Sequence, residues 1–270
     1  MQFTLNSGKK LYYEIYGKGD PLVILNGIMM STASWREFVQ PLSEHNQLVL
    51  IDFLDQGQSD KMNDPYTHDL QIEAVRELLS EVTDKPVNLF GISYGGEIAI
   101  QYALRYPTAV KKLVLFNTSA ETSYWLEEVG NAWNKATHDP EAYYLTTIPF
   151  IYSPLFFTEN REWMEKRKEI LLPLFGDKKF IRSMIRLTDS SVGYDVKDRL
   201  SELTMPSLIV GAEYDFVTPF YQQEYLNDHI KGSELIYVPK SGHAIMYEKP
   251  RLFVSILKGF VSDMKTNYVL

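Results

Sequence analysis

The stretch Val87-Asn88-Leu89-Phe90-Gly91-Ile92-Ser93-Tyr94-Gly95-Gly96 decides the fold. Val87 to Phe90 reads as a short buried strand, and Tyr94 to Tyr106 carries apolar residues three or four apart, the period of a helix. Between them stands Gly-x-Ser-x-Gly, whose significance depends on this strand-turn-helix context. A side chain perched on so sharp a turn leaves no room for side chains on its neighbours, and Gly91 and Gly95 supply that room. Gly96, Ala99 and Ala103 are small where the helix would lie against the sheet. An idle serine on a glycine-rich turn also fits the bare pentapeptide, so its partners elsewhere in the chain decide.

Upstream, strands are expected at Phe3-Thr4-Leu5, Leu11 to Tyr16, Leu22 to Leu25 and Gln47 to Phe53, separated by the turn signals Asn6-Ser7-Gly8 and Gly17-Lys18-Gly19-Asp20. The first pair reads as a hairpin. From Leu22 onward, continuous apolar strands alternate with helices, the pattern of a parallel sheet buried on both faces. The later strands are Val87 to Phe90, Lys112 to Phe116, Ser207 to Val210 and Leu235 to Val238. Helices are predicted over Ser34 to Leu42, Leu70 to Val82, Tyr94 to Tyr106, Pro219 to Ile230 and Pro250 to Met264, the last two beginning at proline. Between Ser119 and Leu203 the alternation stops and aromatic-rich helical segments follow one another. The expected division is a core of residues 1–118 and 204–270 with a helical cap inserted over 119–203.

A weak alcohol needs a base, an orienting acid and an anion site before it attacks a carbonyl. Strand Ser207 to Val210 runs into Gly211-Ala212-Glu213-Tyr214-Asp215-Phe216-Val217-Thr218-Pro219, which puts a carboxylate at a strand's C-terminal end, where α/β sheets hold their sites. Asp215 is the chosen acid, with Glu213 as its alternative and helix capping as the ordinary role for either. The next strand leads to Pro239-Lys240-Ser241-Gly242-His243-Ala244, which makes His243 the base. The chain order serine, acid, histidine is the one expected for a strand-turn-helix nucleophile. His45, His68, His138 and His229 fit solvated or capping roles. For the oxyanion, one backbone amide comes from the residue after the nucleophile, Tyr94, and a second is expected from Ile28 in the turn Asn26-Gly27-Ile28-Met29-Met30.

Bulk properties remove other classes. The 270 residues are 45% hydrophobic and 23% charged, ordinary for a globular chain able to bury a core. A formal net charge of −8 disfavours nucleic-acid partners, whose phosphates call for clustered Lys and Arg. The absence of cysteine excludes a thiolate nucleophile, disulfides and cysteine-ligated metal sites. No metal and no cofactor are expected. The start Met1-Gln2-Phe3-Thr4-Leu5-Asn6 lacks a basic region followed by an apolar stretch, so a cytoplasmic location is expected. The most apolar window, Ile148 to Phe157, is broken by Pro149 and Pro154 and is far shorter than the roughly 20 residues of a membrane span. It reads as a pocket wall or a core piece.

With these residues in place the chain resembles the α/β-hydrolase family, in its capped serine esterase, lactonase and C–C hydrolase branch. The matching pieces are Gly91 to Gly96, the Gly211 to Pro219 loop, Ser241-Gly242-His243, and Asp52-Phe53-Leu54-Asp55-Gln56-Gly57-Gln58-Ser59-Asp60, which looks like the turn after the family's fourth strand. The resemblance implies an α/β fold with a mostly parallel eight-stranded sheet, flanking helices and an inserted helical cap. Three departures stand out. Asn26-Gly27 replaces the usual His-Gly before the oxyanion residue, altering the pocket floor. Asp55 replaces a common glycine, read as a capped turn in preference to a carboxylate at the site mouth. Asn117 follows strand Lys112 to Phe116 where a variant acid would sit, which favours Asp215. A serine at the elbow also sets aside the dehalogenase and epoxide-hydrolase variants, which need an aspartate there.

The expected reaction is two-step acyl transfer to water through Ser93, on a small to medium, largely apolar carboxylic ester or lactone. Acyltransferase, perhydrolase and C–C hydrolase activities would keep the same triad, and a ligand receptor on the same fold is the non-enzymatic alternative. The partners are a small acyl substrate and water, and the oligomeric state is not legible. The cap offers Tyr124, Trp125, Trp133, Tyr143, Tyr144, Phe150, Tyr152, Phe156, Phe157, Trp163 and Met164, of which some should line an apolar pocket over Ser93. Asn26, Met29, Trp125, Tyr144, Phe150 and Phe156 are the substrate-binding candidates. Arg161, Glu165, Lys166, Arg167 and Lys168 read as a solvated helix face, although one basic residue near the entrance could recognise a carboxylate.

Overall fold

The hairpin expected at the start forms, and in the computed structural model, which describes residues 1–262, it starts an eight-stranded sheet. The strands are β1 (Gln2–Thr4), β2 (Lys10–Tyr16), β3 (Asp20–Leu25), β4 (Asn46–Asp52), β5 (Val87–Ile92), β6 (Val110–Phe116), β7 (Ser207–Ala212) and β8 (Glu234–Val238). Their order is β1-β2-β4-β3-β5-β6-β7-β8. β1 and β2 pair antiparallel, β2 meets β4 antiparallel, and every later pairing is parallel. The sequence explains the change: β3, β5 and β7 are apolar along nearly their whole length and buried on both faces, while β2 is half-exposed. β5 runs two residues beyond its expected end because Gly91 and Ile92 still pair with Leu115 and Phe116 of β6.

Helices cover the sheet: α1 (Val39–Ser43), α2 (His68–Val82), α3 (Tyr94–Arg105), α9 (Phe220–His229), α10 (Ile245–Glu248) and α11 (Pro250–Val261). Phe253, Leu257 and Val261 form the buried stripe of α11, and Phe253 sits 5.1 to 5.9 Å from the rings of Phe38, Phe116, Phe90 and Trp35. The pairs with Phe38, Phe90 and Phe116 are edge-to-face, a geometry that adds about 0.5–1.5 kcal/mol each beyond area burial. The helix expected over Ser34 to Leu42 instead begins as a 3-10 segment, Thr32–Phe38, before α1. Three residues per turn put Thr32, Trp35 and Phe38 on one buried face, which a 3.6-residue turn would splay. α9 starts one residue later than expected, with Pro219 as its N-cap. The expected Met264 end of the last helix lies outside the described residues.

Between β6 and β7 the chain passes through α4 (Tyr124–Ala136), α5 (Pro140–Ile151), α6 (Pro154–Glu159), α7 (Arg161–Phe175) and α8 (Lys178–Ser190). Backbone bonds from Thr122 N to Tyr194 O (2.8 Å) and from Val196 N to Ala120 O (2.9 Å) join the two ends of this excursion. Ser123, Asp139, Ser153 and Asp177 cap α4, α5, α6 and α8 with side-chain oxygens, so the borders of these helices are written in local sequence. The apolar window around Pro149 and Pro154 becomes the end of α5, a break at Tyr152-Ser153, and the first turn of α6. Among the described residues no helix is long and apolar enough to cross a membrane.

Candidate active site

Ser93 sits at the junction of β5 and α3 with φ 53° and ψ −126°, a conformation that L-residues avoid at a cost of about 1–3 kcal/mol. Surrounding bonds hold it there. Ser93 N donates to Phe116 O (3.0 Å), and its carbonyl accepts from Gly96 N (2.8 Å) and Thr118 Oγ1 (2.8 Å). The glycines are sterically required: a Cβ on Gly95 would land on the Leu25 carbonyl, and one on Gly91 on the Gly95 carbonyl. Space and hydrogen bonding together thus force the serine onto the outside of the turn.

Asp215 lies in the loop between β7 and α9, 3% exposed, and its carboxylate is fully engaged. Oδ1 accepts from Val217 N and Thr218 N (both 2.9 Å), and Oδ2 accepts from Thr218 Oγ1 (2.9 Å) and lies 2.8 Å from His243 Nδ1. A carboxylate at Nδ1 fixes the imidazole with its proton on that nitrogen and its lone pair on Nε2. The two loops are also tied by backbone: Tyr214 N donates to Ser241 O (2.8 Å), and Asn117 Nδ2 donates to His243 O (2.7 Å). Asn117, placed where a variant acid would stand, therefore braces the histidine loop. Glu213 is turned elsewhere, accepting from Lys240 N at 2.7 Å.

Ser93 and His243 open onto one cavity of about 150 Å³, lined mainly by apolar side chains. No Ser93 to His243 hydrogen bond forms among the described residues; such bonds are often long in unliganded sites and tighten when substrate is bound. Gly27, Ile28 and Tyr94 face the same cavity, and a Cβ on Gly27 would lie 3.6 Å from Ser93 Cβ. The Ile28 and Tyr94 N–H groups have no intramolecular acceptor among the described residues. Gln56, from the turn after β4, donates to Gly27 O (2.8 Å) and Ile28 O (3.1 Å) and so orients that peptide.

Of the six substrate-binding candidates, Met29 alone lines the cavity. Asn26 is fully buried beneath it, donating to Ile51 O (2.7 Å) and Gln56 Oε1 (3.0 Å) and accepting from Trp35 Nε1 (2.7 Å). With both ends of its amide used internally it is a strut that aims Gln56, not a pocket floor. Trp125 is 44% exposed on the outer side of α4, its Nε1 donating to Phe216 O, and Phe150 packs beside it. Tyr144 is buried in the helical layer under Lys168, and Phe156 stacks on Tyr152. The cavity wall comes instead from Leu126, Val129 and Trp133 of α4, Ile148 and Ile151 of α5, and Arg167 and Leu171 of α7. The spacing 126, 129, 133 is the i, i+3, i+7 stripe of a helix and was the available signal.

Two polar residues also differ from expectation. Asp55 combines the turn role, accepting from Met62 N (3.0 Å), with a buried ion pair across to α8: Arg186 Nε donates to Oδ2 at 2.9 Å, and Arg186 Nη2 and Ser183 Oγ donate to Oδ1 at 2.5 and 2.9 Å. Its φ is 74°, and its carboxylate meets α8 and is not part of the cavity lining. His68 is buried, not solvated, because the excursion covers the first turn of α2. Gln101 Nε2 donates to His68 Nδ1 (2.7 Å), which leaves Nε2–H facing Ser191 Oγ (3.0 Å), and Ser191 Oγ donates to Glu97 Oε2 (3.2 Å). Burial holds both ionisable groups neutral, pushing His68 down to about 3 and Glu97 up to about 8. Glu97 lines the cavity one helical turn after Ser93.

Comparison with known proteins agrees with this architecture. The solved structure of MGS-M2, an alpha/beta hydrolase enzyme from a Medee basin deep-sea metagenome library, is 44% identical and superposes over 100% of both chains with a TM-score of 0.96. Est816, described as an N-acyl homoserine lactone degrading enzyme, is 26% identical, with 97% of this chain and 100% of that one covered and a TM-score of 0.84. RutD of Azorhizobium caulinodans, a candidate carbamate hydrolase, is 24% identical over 98% of this chain and 99% of its own. Since the family described as the alpha/beta hydrolase fold matches residues 20–250, most of the sheet and everything around Ser93, this chain belongs to the α/β-hydrolase family.

Proposed function

We propose that the protein is a serine hydrolase that cleaves a small to medium, largely apolar carboxylic ester or lactone through an acyl-enzyme on Ser93. The observation that carries this is the shared cavity of Ser93 and His243, with Asp215 Oδ2 2.8 Å behind the imidazole. Residues 119–203 act as a cap whose apolar helix faces close over the nucleophile and exclude water, which strengthens every electrostatic interaction inside.

In the first step Ser93 Oγ attacks the acyl carbon while His243 Nε2 takes its proton, and the carbonyl oxygen becomes an oxyanion held by the Ile28 and Tyr94 amides. The imidazolium, stabilised by Asp215, then protonates the leaving alkoxide. Water enters, gives its proton to Nε2, attacks the Ser93 ester, and releases the carboxylic acid with the serine restored. In a lactone the alkoxide stays attached to the acyl chain, so one hydroxy acid leaves. Est816 resembles this chain closely enough to keep lactones within the substrate class. The test is Ser93→Ala with an activated six-carbon ester: kcat is expected to fall by about 10⁴–10⁶ with the melting temperature retained. Turnover at the wild-type rate would exclude the mechanism.

A further inference from the structure

The basic side chains of α7 are paired with carboxylates, with one exception among the described residues. Arg161 Nε contacts Glu165 Oε1 at 2.8 Å, Lys166 Nζ contacts Glu162 Oε1 at 2.7 Å, and Lys168 Nζ contacts Glu141 Oε1 at 3.1 Å. Arg167 has no carboxylate partner among the described residues, and it is the residue of this group that turns into the cavity holding Ser93 and His243. Its Nε is buried without any hydrogen-bond partner. Aromatic residues surround it: the guanidinium lies 5.2 Å from the Tyr247 ring centre and 6.0 Å from that of Trp163, and it interacts with the Tyr152 hydroxyl.

Partial burial of a cation without a counter-charge is unfavourable, and a guanidinium cannot escape the cost by losing its proton. Cation–π contacts return about 0.5–2 kcal/mol each, and they hold the planar fork in place while leaving its Nε–H without an acceptor. The lining it shares is apolar on this side, with Ile148 and Ile151 of α5 and Leu171 of its own helix. Three carboxyls also border the cavity. Glu97 is kept neutral by burial up to about pH 8, whereas Glu127 of α4 and Asp189 of α8 are exposed to water, Asp189 accepting from Asn134 Nδ2. None of the three neutralises Arg167.

We infer that Arg167 is an anion-recognition residue of this cavity, and that the acyl substrate carries a carboxylate at the end remote from the carbonyl that Ser93 attacks. The inference rests on the hydrolase reading above. A guanidinium meets a carboxylate through two parallel N–H···O bonds, so the charge would fix the orientation of the acyl chain as well as its affinity.

The test compares mono-p-nitrophenyl esters of adipic and suberic acid with p-nitrophenyl hexanoate and octanoate, which have the same acyl length but no charge. In the wild type one anionic ester should exceed its neutral counterpart in kcat/KM by about tenfold or more, mainly through KM, with the preference shrinking in high salt. Arg167→Gln should lower that ratio at least tenfold, and Arg167→Lys should retain part of it. Competition by adipate against hexanoate hydrolysis in the wild type gives a readout that needs no variant to fold. Neutral esters turned over with no anionic preference, or a preference unchanged in Arg167→Gln, would overturn the anion site and leave the hydrolase reading standing. If neither series is turned over, the hydrolase reading fails and the anion site fails with it.

Discussion

The loops at the ends of β5, β7 and β8 and the helical layer α4 to α8 hold their cavity-facing groups by different physics. In the loops, position is set by backbone. Ser93 is locked by bonds to Phe116, Gly96 and Thr118, Asp215 by two amides and a hydroxyl, and the His243 loop by Asn117 and Tyr214. The helical layer presents Leu126, Val129 and Leu171 by packing and Trp133 with one added bond from its Nε1 to Thr146 O (3.0 Å), and crosses to the core through a few polar contacts such as Asp55 with Arg186 and the His68, Ser191, Glu97 chain. A set of loops braced by backbone hydrogen bonds is thereby joined to a wall whose shape rests on side-chain volume. Substitutions in the first region should change rates, and those in the second should change stability and substrate choice.

The largest effect belongs to the loops. Asp215→Asn preserves shape but removes the acceptor that fixes the imidazole tautomer, so kcat should fall by about 10⁴ in steady-state assays while the melting curve moves little. A fall below tenfold would mean that the histidine is oriented by something else.

Next comes the joint between the regions. Asp55→Ala strips Arg186 of its partner within a site where the aspartate is fully buried, and breaking such a pair costs about 3 kcal/mol in denaturant unfolding. The double variant Asp55→Ala with Arg186→Met should recover part of the loss, which measures the coupling directly. Equal and additive losses would show that the two regions are not joined there.

A smaller and pH-dependent effect comes from Glu97. Its folded value of about 8 lies above the ordinary 4.5, so the native state holds a proton that the unfolded chain releases, and stability falls as pH rises through this window. His68, depressed to about 3, has the opposite slope below its ordinary 6.5, where the unfolded chain gains a proton that the native state refuses. Between pH 6.5 and 8 Glu97 therefore dominates this pair, with a slope of at most ~1.4 kcal/mol per pH unit. Glu97→Gln should flatten the wild-type decline measured by urea unfolding across this interval. A wild-type curve that is already flat would mean that Glu97 is ionised in the native protein.

Least in magnitude is the shape of the wall. Leu126→Phe narrows the cavity and should shift the preferred acyl length toward shorter chains by about tenfold in kcat/KM, while Trp125→Phe on the outer side of the same helix should leave the profile within about twofold. Equal effects from the two would contradict the assignment of the α4 faces.

The same contrast governs what could be read from the chain. Ser93, Asp215 and His243 were legible because each follows a short apolar strand and sits among glycines or loop residues whose roles are local. The wall was less legible because a helix shows its apolar stripe but not which neighbour the stripe faces. Leu126, Val129 and Trp133 carry the period, yet the aromatic residues Trp125, Tyr144, Phe150 and Phe156 drew attention by type, and they pack outside the cavity. Asn26 and His68 were misread for a related reason. Their partners lie far along the chain, 30 residues away at Gln56 and 123 away at Ser191, and no local pattern announces such bonds. Arg167 looked like its surface neighbours because only the three-dimensional packing reveals which charge lacks a partner.

If the acyl group passes through Ser93, it can be trapped there. Acid-quenching the wild type within the burst phase of p-nitrophenyl hexanoate hydrolysis and mapping the peptides by mass should find one hexanoyl group on the peptide carrying Ser93, absent in Ser93→Ala and strongly reduced in His243→Ala, which lacks the base for acylation. Full turnover with no adduct on that serine, or with the adduct on another residue, would mean that Ser93 is not the nucleophile.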